Sequence, residues 1–274
     1  MRIQHNIAAL NSHRQLGSNN NAVGKNLEKL SSGFRINRAG DDAAGLAISE
    51  KMRAQITSLE TAEKNANDGI SLIQTAEGAM TEVHSMLNRM VELAQQSANG
   101  IYENTVDRAN LNEEFTALKN EIDRIGDTTT FNGTKLLDGT QTVTLQIGDT
   151  SDVTNKLKVA LTSVKTSSTG MSLSSVDVSS QTKASSAVSA VKTAINYVSS
   201  VRGKLGAQQN RLEHTVNNLG TTAENMTAAE SRIRDVDMAK EMMAYTKNNI
   251  LVQSSQAMLA QANQLPQGVL QLLQ

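Results

Sequence analysis

The sequence predicts a mainly α-helical fold: an elongated antiparallel helical rod or coiled-coil bundle, with a small β-hairpin region and paired N- and C-terminal helices. Two observations carry this prediction. Apolar residues recur every seven positions in long segments, the spacing of a helix that packs along one stripe. The 274 residues include one proline, three tyrosines, three phenylalanines and no tryptophan, so the core must be mostly aliphatic.

The first helix is predicted within residues 1–40. Leu16, Val23 and Leu30 form a seven-residue row. Other apolar residues flank this row: Ile3, Ile7, Leu10, Leu27 and Phe34. Gly33 is expected to end the helix, and after a short joint Asp41 and Asp42 offer a carboxylate suited to the start of a second helix.

Three further helices are predicted from apolar spacing. The second is expected to run from Asp41 to about Gln96, with one row at Leu59, Ala66, Ile73, Met80, Leu87 and Ala94. The third is marked by Leu111, Phe115, Leu118, Ile122 and Ile125, and the fourth by Val191, Val198, Leu205, Leu212, Leu219 and Met226. Capping-box spacing from Thr227 to Glu230 predicts a slight break near Asn225, before the final helix.

Between the third and fourth helices the pattern changes to that of strands. Apolar and polar residues alternate around Val143, Leu145 and Ile147, and again around Leu157, Val159 and Leu161. This alternation predicts an antiparallel hairpin within about residues 131–165. Residues 162–189 are rich in Ser and Thr, a composition too polar for a separate core, so we expect an exposed loop there.

The last segment, from Asn248 to Gln274, contains no charged side chain. Leu251, Met258, Leu265 and Leu272 recur at seven-residue intervals among Gln, Asn, Ser and Ala. The amides argue against a membrane span, which needs about 20 mostly apolar residues. Because a lone helix gains little in water, this tail is expected to pack against other helices, with the first helix as its partner. The predicted division is residues 1–40 with 230–274, and residues 41–229.

Composition and motifs argue against several other functions. A net charge of −1 and a pI near 6.4 give no electrostatic basis for binding nucleic acid or an anionic membrane. The absence of cysteine excludes disulfides, thiolate metal sites and thiol catalysis. The four histidines lack metal-ligand spacing, and phosphate-loop and nucleophile-elbow motifs are missing. We therefore expect no catalytic residue, no metal, no cofactor, no nucleic-acid partner and no membrane insertion.

Segments near both ends resemble bacterial flagellin. Near the start these are residues 6–11 (Asn-Ile-Ala-Ala-Leu-Asn), 30–33 (Leu-Ser-Ser-Gly) and 35–48, which begin Arg-Ile-Asn-Arg-Ala-Gly-Asp-Asp. Near the end, residues 227–237 (Thr-Ala-Ala-Glu-Ser-Arg-Ile-Arg-Asp-Val-Asp) and 256–263 (Gln-Ala-Met-Leu-Ala-Gln-Ala-Asn) are similar to the same family. The resemblance covers nearly all of the chain outside about residues 141–189 and indicates a minimal flagellin without large surface domains.

The resemblance implies a structural subunit, not an enzyme, that polymerises into the flagellar filament for swimming motility. It implies type III export of the unfolded chain, an extracellular location, an inner terminal-helix domain and an outer core domain. The implied partners are further copies of the chain, an export chaperone, and the filament cap and hook-junction proteins. The residues expected at the polymer interface are Ile3, Ile7, Leu10, Leu16, Val23, Leu27, Leu30, Leu251, Met258, Leu265 and Leu272.

A second implication concerns residues 89–94, Arg-Met-Val-Glu-Leu-Ala, which resemble the flagellin segment recognised by the host innate receptor Toll-like receptor 5. The family's receptor-binding set, transferred to matching positions, is Arg89, Glu92, Leu93 and Glu114. Arg89 is expected to bond receptor acceptors, and Leu93 to fill an apolar notch. The family motif has a second arginine where Val91 stands, and Arg89 with Glu92 also matches an ordinary exposed helical pair.

Two other functions remain open from the sequence, and an enzyme is the third and weakest choice. A hook-filament junction protein also has paired terminal helices but assembles as a short ring. A secreted helical membrane-active protein would insert the uncharged tail, although the many amides of that tail argue against insertion.

Overall fold

The structure is a computed structural model that describes residues 6–139, 141–150 and 152–272, with side chains described as far as residue 264. The helices are α1 (Ile7–Ser32), α2 (Ala43–Ala98), α3 (Asp107–Thr128), α4 (Gln181–Arg234) and α5 (Met238–Leu272). The strands are β1 (Thr130–Phe131), β2 (Thr134–Lys135), β3 (Thr142–Gln146) and β4 (Lys156–Ala160). The predicted mainly α-helical fold with small antiparallel strand pairs is confirmed.

The chain divides into two compact units. The first comprises Met1–Ile56 with Glu224–Gln274, and the second comprises Thr57–Ala223. These limits lie inside α2 and α4, whereas the sequence analysis placed them near the helix ends, at residues 40 and 230. Both helices continue without a break through these limits.

In the first unit, α1 and α5 lie antiparallel. Asn6 caps α1 by accepting the backbone N–H of Ala9 at 3.1 Å. Gly33 ends the helix in the left-handed conformation, at φ 75°, and its N–H donates to the Lys29 carbonyl. The helix therefore ends at the glycine that the sequence predicts.

The predicted helix break near Asn225 is wrong. α4 continues to Arg234, and residues 221–234 contain neither proline nor glycine to interrupt it. The interruption comes instead at residues 235–237, where Asp237 accepts the backbone N–H of Lys240 at 3.1 Å and caps α5. Capping-box spacing alone does not end a helix whose backbone hydrogen bonds can continue.

The second unit has an aliphatic core to which α2, α3 and α4 all contribute. Residues of the predicted α2 and α4 rows are buried there, among them Ala66, Ile73, Met80, Leu87, Val191, Val198, Leu205 and Leu212. α3 adds Phe115 and Ile122, which are fully buried. The seven-residue spacing thus correctly identifies the inward faces of these helices.

The predicted hairpin is present as β3 and β4. Val143 lies opposite Val159, and Leu145 lies opposite Leu157, as the alternation of the sequence requires. β1 and β2 form a second, shorter hairpin around Asn132 and Gly133, which both have positive φ.

The predicted exposed loop at residues 162–189 is wrong in two respects. α4 begins at Gln181, so the last third of this range is helical. The preceding residues cover the core of the second unit with four side chains that are at most 1% exposed: Val164, Met171, Leu173 and Val178. A few apolar residues at suitable places are enough to dock a segment whose average composition is polar.

Polar side chains of α3 also hold this segment, through its backbone. Asn112 accepts the N–H of Val178 at 3.1 Å. Lys119 donates to the carbonyls of Ser174 and Val176, and Asp123 accepts both the N–H and the hydroxyl of Thr166. Since a buried backbone group without a partner is costly, these three side chains explain how an irregular segment can be buried.

Candidate interaction surface on the terminal helices

The face of α1 that contacts α5 carries asparagine at intervals. Asn6 Nδ2 donates to the carbonyl of Ala262 at 2.8 Å, and Asn19 Nδ2 donates to Ser255 Oγ at 2.9 Å. Asn19 is buried in this contact. Leaving a buried amide without its partner costs about 1–3 kcal/mol, so these hydrogen bonds favour one register of α1 along α5.

A third asparagine continues the same face. With its side-chain amide oriented to satisfy both polar atoms, Asn26 donates to Glu241 Oε1 at 3.1 Å and accepts from Asn248 Nδ2 at 3.0 Å. Asn19 and Asn26 are seven residues apart on α1, and their α5 partners Asn248 and Ser255 are also seven apart. The contact therefore repeats once every two helical turns.

The apolar row predicted on α1 lies beside these amides. Leu16, Val23 and Leu30 stand three or four residues from Asn19 or Asn26, so they share the face that contacts α5. All three side chains are partly buried. They contribute to the pairing of the two terminal helices of one chain.

The remaining predicted interface residues with described side chains are exposed. Ile7, Leu10 and Leu27 of α1, and Leu251 and Met258 of α5, are between 39% and 63% exposed. Ile3 lies outside the described residues, and so do the side chains of Leu265 and Leu272. Five large apolar side chains thus stand in water on two long helices.

Leu251 and Met258 of the predicted tail row lie at the edge of the contact with α1, where they line a surface cavity together with Asn11, Gln15 and Asn19. The neighbouring row, which contains Asn248, Ser255 and Ala262, supplies the hydrogen bonds to α1. The apolar row therefore borders the contact, and Leu251 and Met258 keep 39% and 58% of their surface exposed.

Sequence reasoning missed the residues that carry the helix pairing. It followed apolar rows only, although Asn19 and Asn26, and Asn248, Ser255 and Ala262, show the same seven-residue spacing in small and polar side chains. It also missed Met243 and Ile250 of α5, which are exposed apolar residues seven positions apart. A search for every seven-residue row, whatever its polarity, finds both sets.

The connections that follow α1 and α4 are tied together by backbone hydrogen bonds. Phe34 and Asp235 form an isolated antiparallel bridge. The N–H of Arg35 donates to the carbonyl of Arg234 at 2.6 Å, and the N–H of Val236 donates to the carbonyl of Gly33 at 3.0 Å. This bridge brings the end of α1 beside the start of α5.

The side chain of Arg234 reinforces this bridge. Its Nη1 atom donates to Glu50 Oε1 at 2.6 Å, and its guanidinium carbon lies 4.7 Å from the centre of the Phe34 ring. The arginine side chain is only 13% exposed. A cation shielded from water in this way interacts more strongly with both the carboxylate and the ring than it would on an open surface.

Three of the predicted receptor-binding residues form a surface cluster in the second unit. Arg89 donates to Glu114 at 2.8 Å and to Glu92 at 3.0 Å, and all three side chains are exposed. The hydrogen bond to Glu114, followed by that to Glu92, raises the pKa of Arg89 above its ordinary value. The guanidinium is therefore positive and held in place.

Leu93 does not belong to this cluster. Its side chain is fully buried in the core of the second unit, in the same apolar cluster as Met90. The expectation that Leu93 fills a notch on a receptor is therefore wrong for the folded chain, because its helical position places it on the core-facing stripe of α2.

Neither a metal site nor a membrane span is found in the part of the chain that the structure describes. No group of three or more His, Asp or Glu side chains there is arranged to hold a metal ion. None of the helices in that part is long and apolar enough to cross a membrane.

Comparison with known proteins assigns the family. Residues 3–142 match the bacterial flagellin N-terminal helical region, and residues 188–273 match the bacterial flagellin C-terminal helical region. The chain is 59% identical to a flagellin of Halalkalibacterium halodurans and 54% identical to a flagellin of Bacillus subtilis, over the full length of each chain.

Solved structures agree with this assignment. The crystal structure of Bacillus cereus flagellin covers 61% of this chain and 94% of its own, at 32% identity and a TM-score of 0.51. A putative flagellar hook-associated protein from Vibrio parahaemolyticus covers 71% of this chain and 100% of its own, with a TM-score of 0.60, but its 11% identity indicates a shared fold alone. The chain belongs to the flagellin family and is a structural subunit of the bacterial flagellar filament, not an enzyme.

Proposed function

We propose that this flagellin polymerises through the apolar side chains that α1 and α5 leave exposed after pairing with each other. The observation that carries the proposal is the exposure of Ile7, Leu10, Leu27, Leu251 and Met258 on helices whose hydrogen bonds to each other use other residues. Burial of one such side chain against a neighbouring subunit contributes about 1.5–3 kcal/mol. A lattice of such contacts supplies a strong driving force for assembly.

The other predicted interface residues have different parts in this proposal. Leu16, Val23 and Leu30 pack α1 against α5. This pairing holds the exposed side chains of the two helices on one surface, which neighbouring subunits contact. Ile3, Leu265 and Leu272 are assigned to the same interface on the apolar pattern of the sequence alone. Residues 1–40 and 230–274 form the inner domain of the filament subunit in this scheme, and residues 41–229 form the outer core domain.

Assembly is coupled to folding in this mechanism. Ordering a helix costs about 1–2 kcal/mol per residue in backbone entropy, and the contacts between α1 and α5 are partly polar. We therefore propose that the terminal helices are unfolded in the free subunit and become ordered as neighbours cover them. Hydrogen exchange tests this step: backbone amides of α1 and α5 are expected to exchange rapidly in the monomer and slowly in the filament.

The interface itself is tested by elongation of filament seeds, followed by electron microscopy and sedimentation. Ile7→Ala with Leu10→Ala removes apolar surface from α1 while improving its helix propensity. We expect the concentration needed for elongation to rise by about tenfold or more. The matched control is Ile101→Ala with Val153→Ala, which truncates two side chains that are at least 80% exposed on the second unit. Elongation of the α1 variant at the wild-type concentration contradicts the proposal.

Recognition by Toll-like receptor 5 is a second proposal, supported by the exposed cluster of Arg89, Glu92 and Glu114. In this proposal the two glutamates hold the guanidinium toward the receptor, while Leu93 supports α2 from the core. We expect Arg89→Ala with Glu114→Ala to weaken binding of the receptor ectodomain.

A matched control exists on α3. Glu121→Ala with Arg124→Ala removes an exposed ion pair of the same chemistry, in which Arg124 donates to Glu121. Equal binding by wild type and by the Arg89 and Glu114 variant contradicts receptor recognition through this cluster. The double variant Arg89→Ala with Leu93→Ala is less informative, because loss of Leu93 leaves a cavity in the core.

Further partners are proposed from the family resemblance. An export chaperone is expected to cover the apolar side chains of α5 before type III secretion, and the filament cap and hook-junction proteins to meet the subunit at the ends of the filament. A chain truncated after Ala239 lacks nearly all of α5 and is expected to lose the chaperone complex. Chaperone binding by this truncated chain at unchanged affinity contradicts the assignment.

A further inference from the structure

Methionines are distributed unevenly between core and solvent. Those of the second unit include Met80, Met90 and Met171, which are at most 1% exposed. Those of α5 are all exposed, by 48–68%: Met238, Met242, Met243 and Met258. A thioether in water is open to oxidation, whereas a thioether in a packed core is shielded from the oxidant.

Two of the α5 methionines lie within its exposed apolar surface. Met243 is seven residues before Ile250, and Met258 is seven residues after Leu251. Ile250 and Leu251 are adjacent in the chain, so the two pairs form two columns about 100° apart around the helix. Neither column supplies the hydrogen bonds to α1, although that of Leu251 and Met258 borders the contact. Met238 and Met242 lie outside both columns.

We propose that Met243 and Met258 are oxidation sites at which a peroxide blocks the addition of a subunit to the filament. This inference rests on the proposed role of the exposed faces in assembly. In the reaction the thioether sulfur attacks one oxygen of hydrogen peroxide, an S–O bond forms and the O–O bond breaks. The sulfur is oxidised by two electrons to the sulfoxide, and the second oxygen leaves as water after proton transfer.

The chemical change acts directly on the docking surface. Methionine is a flexible apolar side chain that adapts to a partner surface, whereas its sulfoxide carries a strongly polar S–O group. Burying that group against the apolar residues of a second copy leaves it without a hydrogen-bond donor, which is unfavourable. A subunit already in the filament has these sulfurs covered, so the free subunit is the sensitive form.

The test is a competition within one pool of wild-type chains. Monomers are treated with hydrogen peroxide until about half carry a sulfoxide in α5, and unoxidised seeds are then elongated in the pool. Mass spectrometry of peptides measures sulfoxide at each methionine in the filaments and in the residual monomer. We expect sulfoxide at Met243 and Met258 to be depleted from filaments by about tenfold, and sulfoxide at Met238 and Met242 to be depleted much less.

Two outcomes overturn the proposal. One is sulfoxide at Met243 and Met258 in filaments at the fraction found in the starting pool. The other is equal depletion of sulfoxide at all four methionines, because the two columns would then have no special part. The conservative variant Met243→Leu with Met258→Leu keeps the apolar volume and is expected to elongate after peroxide treatment at its untreated rate; slowing of this variant as strong as that of wild type also overturns the proposal.

The competition uses no substitution in α1, so its result is separate from the test of the interface. Normal elongation by the Ile7→Ala and Leu10→Ala variant contradicts the proposed role of α1 in assembly. The sulfoxide distribution is measured on wild-type chains and does not depend on that result. If sulfoxide is equally frequent in filaments and monomer while the α1 variant elongates poorly, the proposed oxidation sites are contradicted and the proposed interface is supported.

Discussion

The two units of this flagellin use the same seven-residue apolar spacing for opposite purposes. In the second unit the rows of α2 and α4 point inward, and residues such as Ile73, Leu87 and Leu205 are buried within the chain. In the first unit the row of Leu251 and Met258 points outward. A heptad row therefore marks an apolar face of a helix, but does not show whether the same chain covers that face.

The contact between α1 and α5 shows how this difference arises. A polar row with Asn19 and Asn26 occupies the face where the helices meet, and its hydrogen bonds satisfy the buried amides. In the second unit the corresponding positions are filled by aliphatic residues and the unit has its own core. We infer that the first unit keeps its largest apolar side chains available for neighbours.

The largest expected effect concerns the difference in burial between the apolar rows of the two units. Leu87→Ala removes a fully buried side chain from the second unit and is expected to lower the free energy of unfolding by about 2–5 kcal/mol. Leu10→Ala removes a side chain of the same kind that is 63% exposed, and is expected to change monomer stability by at most about 0.5 kcal/mol. Urea unfolding of both monomers measures the difference. Equal losses contradict the assignment of the two rows to different partners.

A second prediction concerns how closely the β3–β4 hairpin approaches α2. A Cβ atom at Gly69 overlaps Leu145 Cδ1, whereas a Cβ atom at Gly78 of the same helix meets nothing within 4 Å. Gly69→Ala is therefore expected to destabilise the second unit by about 1–3 kcal/mol. Gly78→Ala is expected to stabilise it by up to about 1 kcal/mol, because alanine favours the helix. Thermal unfolding measures the change in stability of each variant. Stabilisation by both substitutions contradicts the close approach of Leu145 to Gly69.

A third prediction tests the buried segment before α4. Asp123→Ala removes the carboxylate that accepts the N–H and hydroxyl of Thr166, which is 2% exposed. Leaving these donors unpaired costs about 1–3 kcal/mol. We expect faster hydrogen exchange at Thr166 and Leu173, whose amide donates to the Thr166 carbonyl. Asp107→Ala, at the exposed start of α3, is the control, and equal exchange rates in the two variants contradict the role of Asp123.

The sequence predicts the parts of this fold that depend on regular spacing. The rows of α2 and α4, the pairing of Val143 with Val159, and the end of α1 at Gly33 all follow from local pattern. The burial of residues 164–178 does not, because it depends on Asn112, Lys119 and Asp123 of a helix distant in sequence. The exposure of Leu251 does not follow from local pattern either. It depends on the neighbouring row of Asn248, Ser255 and Ala262, which supplies the hydrogen bonds to α1.

The smallest expected effect is the pH dependence of the second unit. The Nζ atom of Lys165 lies 2.8 Å from Asp127 Oδ1 and 2.5 Å from Asp138 Oδ1. Its hydrogen bonds hold the pKa of both carboxyl groups below their ordinary values, and the two carboxylates raise the pKa of the lysine. Because the folded-state pKa values of the two acids are depressed, their stabilising contribution is present above the ordinary carboxyl value, about pH 4. That contribution is lost as the pH falls through the lowered values.

Lys165→Met keeps an apolar stem of similar length and removes the charge. We expect this variant to lose stability less steeply than wild type below about pH 4, and the effect to be modest because both carboxylates are partly exposed. Lys192→Met on an exposed position of α4 makes the same change in net charge away from these two aspartates and serves as the control. Unfolding midpoints in urea between about pH 2 and pH 7 measure the slopes. Parallel curves for wild type and Lys165→Met show that the ion pairs contribute nothing, and a shallower curve for Lys192→Met as well assigns the effect to net charge.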